Sequence, residues 1–136
     1  QSNEIVEFIK KEGLEGRVIL PGYIPEVESY YLVFDIFTIT SRYEGLPVTS
    51  VKSLVAKVPV VGFLRNGMID LDEKFGSFFG VPFEDMERFI QAVEEAKMFI
   101  GKSSDKLEIE SEFIRDNWNI DAMYGDIISL YKQEDL

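Results

Sequence analysis

The chemistry open to this chain centres on Glu44-Gly45-Leu46-Pro47. A β-rich run, Phe34 to Thr40, precedes it. After it Val51, Leu54, Val55 and Val58 recur at the i, i+3, i+4, i+7 spacing of one helix face, and the apolar run Val60-Val61-Gly62-Phe63-Leu64 follows. The stretch reads strand, loop, helix, strand. In an open α/β sheet the loop between a strand's carboxyl end and the next helix is where ligands sit. Glu44 stands in that loop, and its carboxylate is either a ligand contact or a solvated surface group. Gly45 and Pro47 suit a tight turn. With 0 His and 0 Cys the chain cannot build a Ser-His-Asp triad, a histidine zinc site, a disulfide or a thiol nucleophile.

The elements that must position this loop alternate along the chain. Ile5, Phe8 and Ile9 share a helical face that stops near Gly13. Arg17 to Leu20 reads as a short strand closed by Pro21-Gly22. Pro25 opens a helix carrying Val27, Tyr30, Tyr31 and Phe34 on one face. Beyond the central stretch, Arg65-Asn66-Gly67 is a turn, Met68 to Gly76 a loop, and Ser77 to Val81 a short strand. Glu84-Asp85 open a helix with Phe89, Ile90, Val93 and Ile100 on its inner face. Two closing helices follow over residues 104–136, the first capped by Ser104 or Asp105. The last is capped by Asn119 or Asp121 and bears Tyr124, Ile127, Ile128 and Tyr131 on one face. Apolar strands alternating with helices predict an α/β fold, a Rossmann-like parallel sheet with helices on both faces and about four strands. The 136 residues form a single domain.

The formal net charge of −11 opposes binding to nucleic acid and to anionic membranes, and equally describes a solvated surface. No apolar run approaches the roughly 20 residues of a membrane span. These features point to a cytoplasmic domain. Asp35 at a strand start suggests a phospho-acceptor domain, but the acidic pair and late lysine that such a site needs are not found. Asp70-Leu71-Asp72-Glu73 has the oxygen ligands for a hard cation, although an acidic loop in an acidic protein is the simpler account. Trp118 and Tyr131 read as core or interface aromatics.

The central stretch resembles the C-terminal domain of family-4 retaining glycosyltransferases of the two-Rossmann-domain (GT-B) fold. Ser41, Glu44, Gly45, Leu46, Pro47, Pro59, Val60 and Val61 fall in register with that family's serine, glutamate-glycine and proline-valine-valine pattern. The likeness continues through Val18 to Ile24, Tyr30-Tyr31 before Phe34-Asp35-Ile36, Phe75-Gly76, Pro82, Asn117-Trp118 and Leu130-Tyr131. It covers nearly the whole chain. The resemblance implies a partial GT-B C-terminal domain that binds a nucleotide-diphosphate sugar and transfers a hexose to a glycan or lipid acceptor in polysaccharide biosynthesis, with no metal and no separate cofactor. It implies Glu44 as the catalytic-site residue that orients the donor sugar. It further implies Ser41, Gly45, Leu46, Pro47, Lys52, Asn66 and Gly67 as donor-binding positions. Gly45 would allow close backbone approach, and the following N–H groups would meet the donor at a helix start, where the dipole favours anions. Pro47 removes one such N–H.

The pattern is broken at three places. Lys52 stands eight positions after Glu44, where the family has a second glutamate that bonds the ribose hydroxyls, and an ammonium only donates. Lys57 replaces a glycine. Asn66 and Asp70 alter a glycine-glycine-x-x-glutamate loop. These departures motivate the alternative reading, a degenerate domain kept as a binding or assembly module. The resemblance also implies that an opening βαβ segment and an N-terminal acceptor domain, through which the protein would meet the membrane, lie outside this chain. Without that βαβ segment a sheet edge or helix-facing surface is expected to be open and to promote self-association.

Overall fold

The computed structural model describes residues Ser2 to Gln133. Its helices are α1 (Ser2–Lys11), α2 (Val48–Val55), α3 (Gly67–Lys74), α4 (Met86–Ile100), α5 (Ser104–Asn117) and α6 (Ile120–Gln133), and its strands are β1 (Phe37–Ile39), β2 (Val60–Phe63) and β3 (Phe78–Val81). A 3₁₀ segment runs over Val27–Val33. The closing helices predicted over 104–136 fall on α5 and α6; residues 134–136 lie outside the described residues.

The strands form one parallel sheet in the order β1-β2-β3. Phe37 pairs with Val60, and Val60 in turn with Phe78. β2 is central and buried at every position. Because side chains alternate across a strand, its residues divide between two cores. Val60 joins Ile39, Leu54, Met68, Leu71, Phe75, Phe78 and Ile114 on the face covered by α2, α3 and α5. Val61 and Phe63 join Val81, Phe89, Ala92 and Ala96 on the face covered by α4. Helices on both faces of a parallel sheet make the fold Rossmann-like α/β, as the alternation of elements predicts.

Two buried side chains on α5 fasten it to its neighbours. Glu110 on α5 accepts hydrogen bonds from Gly76 N at 2.9 Å, Ser77 N at 3.2 Å and the Ser77 hydroxyl. Ser111 Oγ donates to the Val55 carbonyl at 2.7 Å, joining α5 to the end of α2. That end is closed by a 6→1 bond from Val58 N to Ser53 O and a 5→2 bond from Lys57 N to Leu54 O, each 3.0 Å, with Lys57 at φ 64°.

Several elements differ from the sequence-based expectation. Arg17–Leu20 makes no strand: Glu15 and Val18 form an isolated bridge, and Ile19 is 80% exposed. The described sheet therefore has three strands rather than four. The helix expected from Pro25 is the 3₁₀ segment, in which only Tyr31 is buried, against Phe34 and Phe37. The loop expected after Gly67 is α3, and the acidic tetrad lies on it. There Leu71 is buried in the core and Asp72 Oδ1 accepts from Gly80 N at 2.7 Å, so Asp72 ties α3 to β3. On α4 the inner face is Phe89, Ala92 and Ala96, while Ile90 is exposed; small alanines let the helix lie close to β2 and β3. The helix cap before α5 is Ser103, not Ser104 or Asp105. Asn119 caps α6, its Oδ1 accepting from Ala122 N at 2.9 Å. The apolar face predicted for α6 is exposed, Tyr131 included, because no described element packs over it. Trp118 does join the core, edge-on to Phe75 with ring centroids 5.2 Å apart.

Candidate functional site

The site lies beyond the carboxyl ends of the strands. The loop 40–47 leaves β1 and enters α2, and the loop 64–66 leaves β2 and enters α3. The two loops meet at a glycine. A β-carbon on Gly67 would overlap the carbonyl oxygen of Gly45 and lie 2.8 Å from its carbonyl carbon and 3.1 Å from Leu46 Cα. Only a residue without a side chain lets the start of α3 touch Gly45-Leu46. Asn66, at φ 45° and ψ −123°, makes the reversal that brings Gly67 there. Arg42 and Glu84, 3.9 Å apart and both exposed, link the loops after β1 and β3.

The tertiary structure thus assembles Gly45, Leu46, Asn66 and Gly67. Ser41 and Glu44 are half-buried in the same loop, and Gly45 is open, with nothing within 4 Å of where its β-carbon would stand. Pro47 is buried and precedes α2. Its carbonyl accepts from Ser50 N at 2.9 Å and Val51 N at 3.2 Å, and no side chain caps this helix start. The N–H groups of Val48 and Thr49 therefore remain as the unfilled donors of the first turn. Leu46 is 53% exposed and borders a largely apolar cavity of about 750 Å³ between the start of α2 and α6, floored by Trp118, Met123 and Ile127.

Lys52 lies one turn into α2. Its Nζ donates to Glu28 Oε1 at 2.6 Å. This hydrogen bond and the attraction of the charges raise the Lys52 pKa and lower that of Glu28. Glu28 carries no signal of its own in the sequence, because its partner is 24 positions away. Lys57 is not part of the site. It sits at the opposite end of α2, paired with Glu108 of α5. Its glycine-like position reflects the left-handed backbone that closes the helix, not a ligand contact. Among the described residues no group of three or more Asp and Glu side chains could hold a metal ion, and no helix is long and apolar enough to cross a membrane.

A parallel sheet with two loop-to-helix junctions converging past its strand ends defines a Rossmann-like domain, with a candidate site at the carboxyl edge. The chain belongs to the glycosyl transferases group 1 family, whose profile matches residues 1–97. It is 26% identical over 134 residues to the amylovoran biosynthesis glycosyltransferase AmsD of Erwinia amylovora, covering 98% of this chain and 36% of that protein. It is 29% identical over 68 residues to the mannosylfructose-phosphate synthase of Agrobacterium fabrum, covering 48% of this chain and 15% of that one. A lipopolysaccharide core biosynthesis mannosyltransferase of Rhizobium meliloti, LpsB, is 30% identical over 59 residues, which is 43% of this chain and 17% of the relative. The match spans 36% of the length of AmsD and less than a fifth of the length of the other two relatives.

Proposed function

We propose that this chain is the donor-binding part of a family-4, GT-B glycosyltransferase. The whole enzyme moves a hexose from a nucleotide-diphosphate sugar to a glycan or lipid acceptor held by another domain. The observation that carries the proposal is the contact of Gly67 with Gly45-Leu46, which sets Glu44, the uncapped start of α2 and the start of α3 around one point. Helix starts favour an anion, here two lie close together, and the departing group of such a donor is a diphosphate. Glu44 beside them accepts hydroxyl protons of the sugar. Catalysis then rests on holding the sugar in place and stabilising the leaving diphosphate. The names of the relatives, an amylovoran biosynthesis glycosyltransferase and a lipopolysaccharide core biosynthesis mannosyltransferase among them, support the same reading.

The test is calorimetric titration of the full-length polypeptide with UDP, GDP and ADP and their sugar forms. One nucleotide binds in the micromolar range, about −8 kcal/mol, and Glu44→Ala abolishes transfer while the fold persists. Absence of binding by all three nucleotides overturns the proposal. It would favour the second reading, an assembly module, for which the commitment of Lys52 to Glu28 is the supporting observation. The edge of β1, which has one strand partner among the described residues, is the proposed route to self-association when this segment is isolated. Sedimentation as a monomer at all concentrations would dismiss that route.

A further inference from the structure

The groove along α2 combines an apolar floor with the Glu28–Lys52 pair on one side and Arg115, whose guanidinium lies 3.8 Å from Glu108, on the other. It encloses about 580 Å³ and is floored by Tyr31, Val48, Val51 and Trp118. At its rim Lys52 Nζ donates to Glu28 Oε1, and both side chains are open to solvent, at 45% and 62% exposure. Neither group is saturated. An ammonium has three N–H donors and spends one here. The carboxylate of Glu28 has about four lone-pair positions and keeps room for further donors beside Lys52. An anion entering this rim meets Glu28, and a cation meets Lys52. Adjacent neutral hydroxyls suit both, since each hydroxyl donates one proton and accepts another. A sugar ring also offers an apolar face to the floor beneath.

We infer that Glu28, held in place by Lys52, binds the vicinal hydroxyls of the donor's ribose; this rests on the donor-domain reading above. Val48 lines the groove and also opens α2 directly after the Glu44–Pro47 loop, and Lys52 follows about one helical turn, 5.4 Å, further along. Hydroxyls at Glu28 therefore belong to a different part of the donor from the hexose at Glu44. The lysine at position 52 does not leave this region without a carboxylate. It recruits one from the 3₁₀ segment.

The experiment compares ribose and 2′-deoxyribose forms of UDP, GDP and ADP, titrated into the full-length polypeptide and its Glu28→Ala and Lys52→Met variants. Thermal melting confirms that the variants are folded, as the exposure of both side chains predicts. The native protein prefers the ribose form of its nucleotide by about tenfold or more, the effect of one hydrogen bond to a charged group. Glu28→Ala brings that preference to within about twofold by weakening the ribose form alone, and Lys52→Met weakens it in the same direction. If Glu28→Ala keeps the native ratio, or weakens both forms equally, the pair only ties two segments together and the inference is overturned. In that case continued native binding, with the gain from the sugar moiety lost in Glu44→Ala, leaves the donor-domain reading standing. No nucleotide bound by the native protein overturns both.

Discussion

Replacing Gly67 with alanine places a methyl group against main chain, with no flexible side chain to yield. Ordinary contact begins at 3.4 Å, and the new β-carbon would lie 2.8 Å from the carbonyl carbon of Gly45. That carbon must retreat by about 0.6 Å, and its oxygen by more than twice as much. Overpacking of this kind costs about 1–3 kcal/mol of stability. The functional cost is larger, because a misplacement of about 1 Å at a reacting centre lowers rates by about 10²-fold. Two measurements test this: urea denaturation of the chain, and transfer or nucleotide binding by the full-length polypeptide. Gly125→Ala is the control. It lies in α6 with nothing within 4 Å of the added carbon and is expected to stabilise by about 0.5–1 kcal/mol. Native stability together with native activity in Gly67→Ala would refute the view that this close approach builds the site.

Three further outcomes follow from the same geometry. Glu110→Ala strands the buried Ser77 N–H and hydroxyl and costs about 2–4 kcal/mol, read as a lower urea midpoint at unchanged slope; Glu110→Gln, which keeps one acceptor oxygen, loses less. Lys57→Gly relieves the left-handed backbone that closes α2 and raises stability by about 0.5–1 kcal/mol, whereas Lys57→Ala keeps the strain and gives no gain. The Glu28–Lys52 pair exists only while both groups are charged. The melting difference between native chain and Lys52→Met is therefore flat near neutrality. It disappears as pH falls through a Glu28 pKa below the ordinary 4.5, and again as pH rises through a Lys52 pKa above 10.5. A difference that grows toward acid would show that the pair is not what the substitution removes.

Sequence alone determined the parts of this protein governed by local pattern. The apolar spacing in α2 and the continuous apolar run of β2 specify a buried parallel sheet, because each follows the period of its own element. Asp85 and Asn119 announce their helix starts because a cap needs only residues three positions away. The place of Glu44-Gly45 in a loop between a strand and a helix was legible for the same reason. Distant partners were not legible. The Val18–Leu20 run has the composition of a strand, yet a strand exists only where another pairs with it, and none among the described residues does. The α6 face has the spacing of a core helix, but burial depends on a covering surface that periodicity does not supply. On α4 Phe89 and Val93 pack on the core as expected but Ile90 does not, and Ala92 and Ala96, which periodicity of large residues passes over, face the sheet. Lys57, read as a departure in the site, is held at the far end of α2 by backbone geometry. The meeting of Gly45 with Gly67 and of Glu28 with Lys52 arose only when the sheet brought separate segments together, and neither contact follows from local pattern.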